Sequence, residues 1–472
     1  MSGHLYEQLA ATLEGQIRDG IYRPGDRIPS VRSLRDQHHV SVTTVLEALR
    51  VLEDRGLVRA RPQSGYYVQP PPARPLGEPE PSRPPRRASR VDASLAVSLN
   101  LGIGNPQEPT LGAAVQGPEL VPVAALNRLM GQVLRYQPTA SHSYDAPPGT
   151  PALRRVVARR AAEAGYSVAP DEVVVTSGAK EAVYLSIRAV TEPGDTVAIE
   201  SPTYYALLEV LASLKLRAVE IATHPRLGLD VDHLATVLRS RRIAAVALVP
   251  TFSNPTGSCM PEAAKRQLVD LLEIHQVPLV EDDVYGDLAF HGERPPPIKA
   301  FDRGGLVLYC GSYSKTLSPG LRVGWAIPGR YQDRLELLKL VVNQATAPAP
   351  QLAVASFVDS GGFDRHLRRA RRMYREQMER TIDAVSRYFP AGTRATRPDG
   401  GHVLWVQLPG GTDSLQLYRA AAAEGIRVAP GPMFSPNGGY RDFIRLNTGF
   451  PWQPAVEGQI ERLGQLVSAG PP

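Results

Sequence analysis

The sequence predicts an α/β protein in two parts: a small module of helices and a hairpin, then a large body with a mostly parallel sheet. Three observations carry this. Apolar residues recur at helical spacing as far as Gly56, then give way to two short β-rich runs around a glycine turn. Eight of the sixteen residues from Pro70 to Pro85 are proline, which no packed core accommodates. From about residue 94, apolar runs such as Val173–Val175, Val197–Ile199, Ala245–Val249 and Leu306–Tyr309 alternate with amphipathic stretches. That alternation is the pattern of strands covered by helices.

The 472 residues suffice for two or three domains, and 43% hydrophobic with 21% charged residues suffices for a sizeable core. No apolar run approaches the roughly 18 residues of a membrane span, and the N-terminus lacks the basic start and apolar stretch of a secretory leader. A cytoplasmic protein is expected. The two cysteines, Cys259 and Cys310, fit no metal-ligand spacing, so no metal site is expected. Of 53 basic residues 47 are arginine, and only Lys180, Lys215, Lys265, Lys299, Lys315 and Lys339 carry an amine. The net charge of +6 is spread evenly. Residues 1–69 hold nine arginines against eight acids, so charge alone is a weak footprint for nucleic acid.

In the N-terminal module, Leu5, Leu9, Leu13 and Ile17 give one apolar helix face. Pro24-Gly25 turns the chain, and Ser30 is placed to cap a second helix from Val31 to about His38. Ser41 caps a third, whose Val45, Leu49 and Leu52 face inward, and Gly56 stops it. Leu57–Ala60 and Gly65–Val68 read as two strands. Three helices and a hairpin make a winged helix-turn-helix. The runs Tyr22-Arg23-Pro24-Gly25-Asp26-Arg27-Ile28-Pro29-Ser30 and Leu52-Glu53-Asp54-Arg55-Gly56-Leu57-Val58 resemble the GntR family of bacterial DNA-binding domains over residues 4–69. That resemblance implies double-stranded operator DNA as partner. It assigns Arg32 to a DNA contact, Ser41, Thr43 and Thr44 to phosphates or base edges, and Gly65 to the wing tip beside Gln63 and Ser64. Val42 stands where the family often has arginine; valine offers no guanine contact but can touch a thymine methyl.

Residues 70–93 read as a linker. At about 3.1 Å per residue of extended chain it could reach roughly 70 Å.

The body, 94–472, carries a series of short motifs at strand ends. Thr176-Ser177-Gly178-Ala179-Lys180 opens a helix, where small residues let an anion approach backbone amides. Glu200-Ser201-Pro202-Thr203-Tyr204 exposes an aromatic. Asn254-Pro255-Thr256-Gly257 is ordinary turn chemistry that also offers a fixed amide. Asp282 and Asp283 place carboxylates at a strand end, where α/β proteins bind ligands. Ser312-Tyr313-Ser314-Lys315, with Arg322, clusters hydroxyls with an amine and a guanidinium. One ligand suits them all: a phosphate, a flat ring, a basic nitrogen and an aldehyde, which is pyridoxal 5′-phosphate.

In this order and spacing the motifs resemble fold-type I aminotransferases over about residues 98–465, with a large domain of about 120–345. The small domain would be built from the N-terminal segment and about 346–472. The resemblance implies that Lys315 condenses with the cofactor aldehyde and that Asp282 pairs with the ring nitrogen. Tyr285 and Asn254 would bond the ring oxygen, and Tyr204 would stack on the ring. Gly178, Ala179, Lys180, Ser312 and Arg322 would hold the phosphate, with Lys180 adding a cation. Tyr144 would reach a partner subunit's phosphate, implying a homodimer, and Arg445 would clamp a substrate carboxylate. The whole chain resembles the MocR-type transcriptional regulators, in which an aminotransferase-like body senses an effector. This implies an amine, amino acid or the cofactor itself as signal, and a dimer that is often domain-swapped. A working aminotransferase with an appended DNA-binding arm fits the same residues.

Overall fold

The computed structural model describes residues 4–18, 20–22, 24–70, 73–85, 87–101 and 110–470. Contacts divide the chain into two units, one of residues 1–75 with 383–388 and one of 76–382 with 389–472.

In the first unit α1 (Leu5–Arg18), α2 (Val31–His38) and α3 (Val42–Asp54) precede a hairpin of β1 (Val58–Arg61) and β2 (Gly65–Val68). Both predicted caps form: Ser30 Oγ accepts from Ser33 N and Ser41 Oγ from Thr44 N, each at 3.1 Å. Each satisfies a helix donor with no partner of its own. Leu9, Leu13, Ile28, Leu34, Leu49 and Leu52 meet in the core. Leu5, expected on the inner face of the first helix, is instead 62% exposed; Ala10 is buried beside Leu9 and Leu13. The architecture is the expected winged helix-turn-helix.

The second unit starts inside the proline-rich stretch, and the described part of that stretch makes contacts with the body. Gly77 O accepts from Ala395 N at 3.0 Å, and Ser82 N donates to Thr223 O at 3.0 Å. Glu78 accepts from Arg226 Nε at 2.7 Å. Proline removes donors but leaves carbonyls and neighbouring side chains able to pair, so an extended chain can still lie on a surface. β3 (Ser89–Arg90) and α4 (Ser94–Leu101) follow.

The large sheet comprises β3, β4 (Val174–Thr176), β5 (Thr196–Glu200), β6 (Arg217–Ile221), β9 (Ala245–Leu248), β10 (Leu279–Asp282), β11 (Val307–Ser312) and β12 (Gly324–Ile327). A ribbon of β7 (Thr223–His224) and β8 (Gly228–Leu229) stands outside it. The order is β3-β6-β5-β9-β10-β11-β12-β4. From β6 to β11 neighbours run parallel; β12 is antiparallel to both of its neighbours, and β3 to β6. Val197 and Ile199 pack on one face with α8 (Ala179–Val190) and α9 (Tyr205–Ser213). Ala198 between them faces α10 (Val231–Ser240) and α11 (Glu262–His275). This two-residue alternation, buried on both sides, explains why the strands read as continuous apolar runs.

A further core joins α5 (Val123–Tyr136), α7 (Pro151–Glu163) and α13 (Pro348–Asp359), with α6 (Pro138–His142) and α12 (Gln332–Asn343) alongside in sequence. A smaller antiparallel sheet has the order β13 (Arg394–Ala395), β14 (Val403–Gln407), β16 (Phe443–Asn447), β15 (Ala429–Pro430). α15 (Ser414–Ala423) packs beside it and against α16 (Pro454–Ala469), while α14 (Gly362–Tyr388) sends Phe363, Leu367, Ala370 and Tyr374 into the core of α5, α7 and α13. Among the described residues no helix is long and apolar enough to cross a membrane, and no cluster of metal-binding side chains occurs.

Candidate functional site

The loops leaving the carboxyl ends of β4, β5, β9, β10 and β11 converge, as open parallel sheets require of a ligand site. They surround a cavity of about 220 Å³ lined by Ala179, Tyr204, Asp282, Ser314, Lys315 and Arg322 over an apolar floor.

At one end α8 starts with no side-chain cap, which leaves its first amides for an anion. Its N-cap Gly178 has φ +88°, and a Cβ there would lie 2.4 Å from Arg322 Nη2. Only glycine lets the guanidinium lie this close. Arg322 is held by Ser177 O at 2.7 Å and Pro319 O at 3.3 Å, and reaches Ser314 Oγ at 3.4 Å. Two of the expected residues have protein partners of their own. Lys180 Nζ pairs with Glu209 Oε2 at 2.5 Å, so its charge is already neutralised, although its backbone amide opens the helix. Ser312 is buried, with Oγ 3.0 Å from Val323 O and 2.8 Å from Ser314 Oγ, while Ser314 lines the cavity.

The adjacent acids divide by strand alternation. Asp283 turns away to Arg294 and to the Tyr309 hydroxyl at 3.2 Å. Asp282 faces the cavity with a buried Oδ1 that has no hydrogen-bond partner. Burial, then the neighbouring Asp283 charge, push its pKa up to about 7, against the pull of Lys315. Burial, then Arg445, push the Lys315 amine down to about 8. The pair is thus poised near neutrality.

Asn254 Oδ1 accepts from Arg445 Nη1 at 3.4 Å, and its side chain also bonds Tyr285. The Tyr204 ring stands 4.8 Å from that of Tyr205. Arg445, on β16, is fully buried, and no carboxylate of the described residues pairs with it; its Nε has no partner. A surface ion pair, the ordinary role of an arginine, is therefore not what holds it. Tyr144 is 85% exposed and takes no part in lining this cavity.

Several participants carried no recognisable motif. Residues 110–117 form a strap against Lys315 and Arg445: Lys315 Nζ donates to Ala114 O at 2.5 Å, and Arg445 donates to Gly112 O. Asn447 pins it, with Nδ2 donating to Thr110 O at 3.1 Å and Val115 O at 2.9 Å, and its backbone N to Leu111 O at 2.8 Å. Asn447 Oδ1 also meets the ring of buried His402 at 3.1 Å. The His402 ring lies 5.3 Å, edge-on, from Tyr285. Burial, then the Lys315 charge, push His402 down to about 3, so it is neutral.

In the other unit, Arg32 and Thr43 are exposed. The Ser41 and Thr44 hydroxyls lie 2.8 Å apart, bonded to each other at the cap. Gly65 follows the hairpin turn at φ +110°, Ser64 Oγ meets the Tyr67 hydroxyl at 2.7 Å, and the Arg61 guanidinium sits 4.2 Å over the Tyr67 ring.

Residues 98–451 match the model of the aminotransferase class I and II family, and residues 5–68 that of the bacterial regulatory proteins of the gntR family. The chain is similar to the HTH-type transcriptional regulator YdcR of Escherichia coli (strain K12), 39% identical over 98% of both chains. It is 36% identical to YjiR of the same organism, again over 98% of both. Among solved structures, LysN, the alpha-aminoadipate aminotransferase of Thermus thermophilus complexed with N-(5′-phosphopyridoxyl)-L-leucine, superposes with a TM-score of 0.74. It is 30% identical and covers 80% of this chain and 96% of its own.

Proposed function

This chain belongs to the aminotransferase class I and II family and carries a gntR-family DNA-binding domain, the MocR-type architecture of a transcriptional regulator, and from that premise we propose that its body holds pyridoxal 5′-phosphate and senses an amine or amino acid. The observation that carries the reading is one cavity containing an amine of lowered pKa and a buried carboxylate oxygen with no protein partner. The first needs an aldehyde and the second a protonated ring nitrogen. When bound, the cofactor supplies an electron sink for the α-carbon of an amine.

The chain's own residues do the rest. Ala179 and Lys180 amides, Arg322 and Ser314, with Gly178 and Ser312 shaping the cradle, hold the phosphate. Asp282 would keep the ring nitrogen protonated, Asn254 and Tyr285 would bond the ring oxygen, and Tyr204 would lie against the ring. Lys315 would hold the aldehyde end of the cofactor, and its amine of lowered pKa suits it to accept a proton from the α-carbon of a bound amine. Arg445 takes the ligand's carboxylate in place of Gly112 O.

DNA binding belongs to residues 1–69, joined through 70–93 to a body of 94–472, acting in the cytoplasm. Leu337, Leu340, Val341 and Val342 of α12 are 49–76% exposed, an apolar surface that suits a second copy and a homodimer in which Tyr144 serves the partner's site.

The test is spectroscopic. Protein loaded with the cofactor should show an absorbance band at the visible edge, abolished in Lys315→Ala, and an amino compound should shift it and change affinity for promoter DNA. A spectrum that shifts while DNA affinity stays constant across all amines would sink the sensor. A working transaminase is the second reading, favoured by Lys315, Asp282 and Arg445 lying together. Its mark is repeated turnover with an amino donor and a keto acid.

A further inference from the structure

The recognition surface of the first unit is unusually poor in hydrogen-bonding groups. Along α3, Val45, Ala48, Leu49 and Leu52 are buried, which fixes the opposite face as the one presented outward. On that face Val42 is 43% and Leu46 44% exposed, one helical turn apart. Of the polar side chains nearby, the Ser41 and Thr44 hydroxyls bond each other. Arg50 is bonded to Glu47 Oε1 at 3.1 Å. Ser41 at the cap and Thr43 in the first turn are exposed. The first two turns therefore offer no guanidinium or amide to bind a base edge in bidentate fashion.

What they offer is two adjacent apolar side chains, in a unit that also exposes Arg32 on α2 and Arg59 on the hairpin. The arginines suit phosphates, which position but do not specify. In the major groove only thymine carries an apolar group, its C5 methyl. Of the base-edge groups in the major groove, an apolar pair is therefore complementary to the thymine methyl alone.

We propose that Val42 and Leu46 are the specificity-determining residues of the DNA-binding unit, and that they read the methyl groups of two thymines in each half-site. This rests on the DNA-binding part of the reading above and on none of the cofactor chemistry.

The experiment uses the full-length protein and a randomised duplex library. Selection should recover thymine at two positions per half-site, at an interval set by the helical turn between the two side chains. Replacing either thymine by deoxyuridine removes only the methyl and should weaken binding about fourfold, the worth of one buried methyl group. The same replacement elsewhere in the site should leave affinity unchanged. In Val42→Ala and Leu46→Ala the penalty at the matching position should vanish. Both residues are exposed, so these variants keep the core intact. Val42→Arg should move the selected base at its position from thymine to guanine, since arginine pairs with guanine O6 and N7. Recovery of guanine or adenine by the wild-type protein, or tight binding indifferent to deoxyuridine, overturns the proposal. Absence of binding to any duplex overturns the DNA-binding reading itself, and the two failures are told apart by the selection step alone.

Discussion

Lys315 and Asp282 set the chemistry of the cavity between them. Each is shifted toward neutrality by burial, and each opposes the other's shift. A neutral amine is what condenses with an aldehyde, so loading of cofactor-free protein should respond to pH in a defined way. The second-order rate should rise about tenfold per pH unit below about 8 and level off above it. Stopped-flow absorbance after mixing with pyridoxal phosphate reads this directly. A rate still climbing between pH 9 and about 10.4, the ordinary lysine value, would show the amine to be unshifted. At this scale the sequence was largely readable: Lys315 stood out because only six lysines exist, and Asp282 because it ends a strand. Ser312, expected at the phosphate, ends β11 with its hydroxyl bonded to Val323 O, and Ser314, two residues on, lines the cavity. Spacing alone does not say where a strand stops.

Elements that alternate apolar and amphipathic character declared themselves: the sheet strands and the three N-terminal helices fall where hydrophobic periodicity places them. The strap of residues 110–117 did not. Its contacts to Lys315, Arg445 and Asn447 run through the carbonyls of Thr110, Leu111, Gly112, Ala114 and Val115, and every residue type has a carbonyl. No side-chain pattern can advertise such a segment. β3 escaped for a related reason, since a two-residue strand at the end of a proline-rich run has too little period to detect. Asn447 is what makes the strap specific. Asn447→Ala removes both side-chain bonds to it and leaves two carbonyls unpaired, costing about 1–3 kcal/mol for each that stays buried. The melting temperature should fall accordingly, while hydrogen exchange across 110–117 should rise far more than in β14 or β16. Equal protection in variant and parent would mean that the strap is held by other contacts.

For the whole molecule, the two-unit division was legible from composition, because a run that is half proline cannot be core. Its extent was not, because pairing of Glu78 and Ser82 with distant residues depends on a surface that exists only after folding. The exposed apolar side chains of α12 bear on assembly. Leu337→Asp with Val341→Asp should convert a dimer into a monomer in light scattering without lowering the stability of the body by more than about 1 kcal/mol, since both are surface positions. An unchanged mass would place the subunit interface elsewhere. The strap has one more consequence, and it concerns dose. Under the proposed function, a ligand carboxylate would reach Arg445 only while Gly112 O is away from it, so the apparent dissociation constant would be the intrinsic one divided by the fraction of time the guanidinium is free. Changes in the strap would then move the effector concentration at which the regulator responds without altering any residue that recognises the effector, so threshold and selectivity can evolve separately.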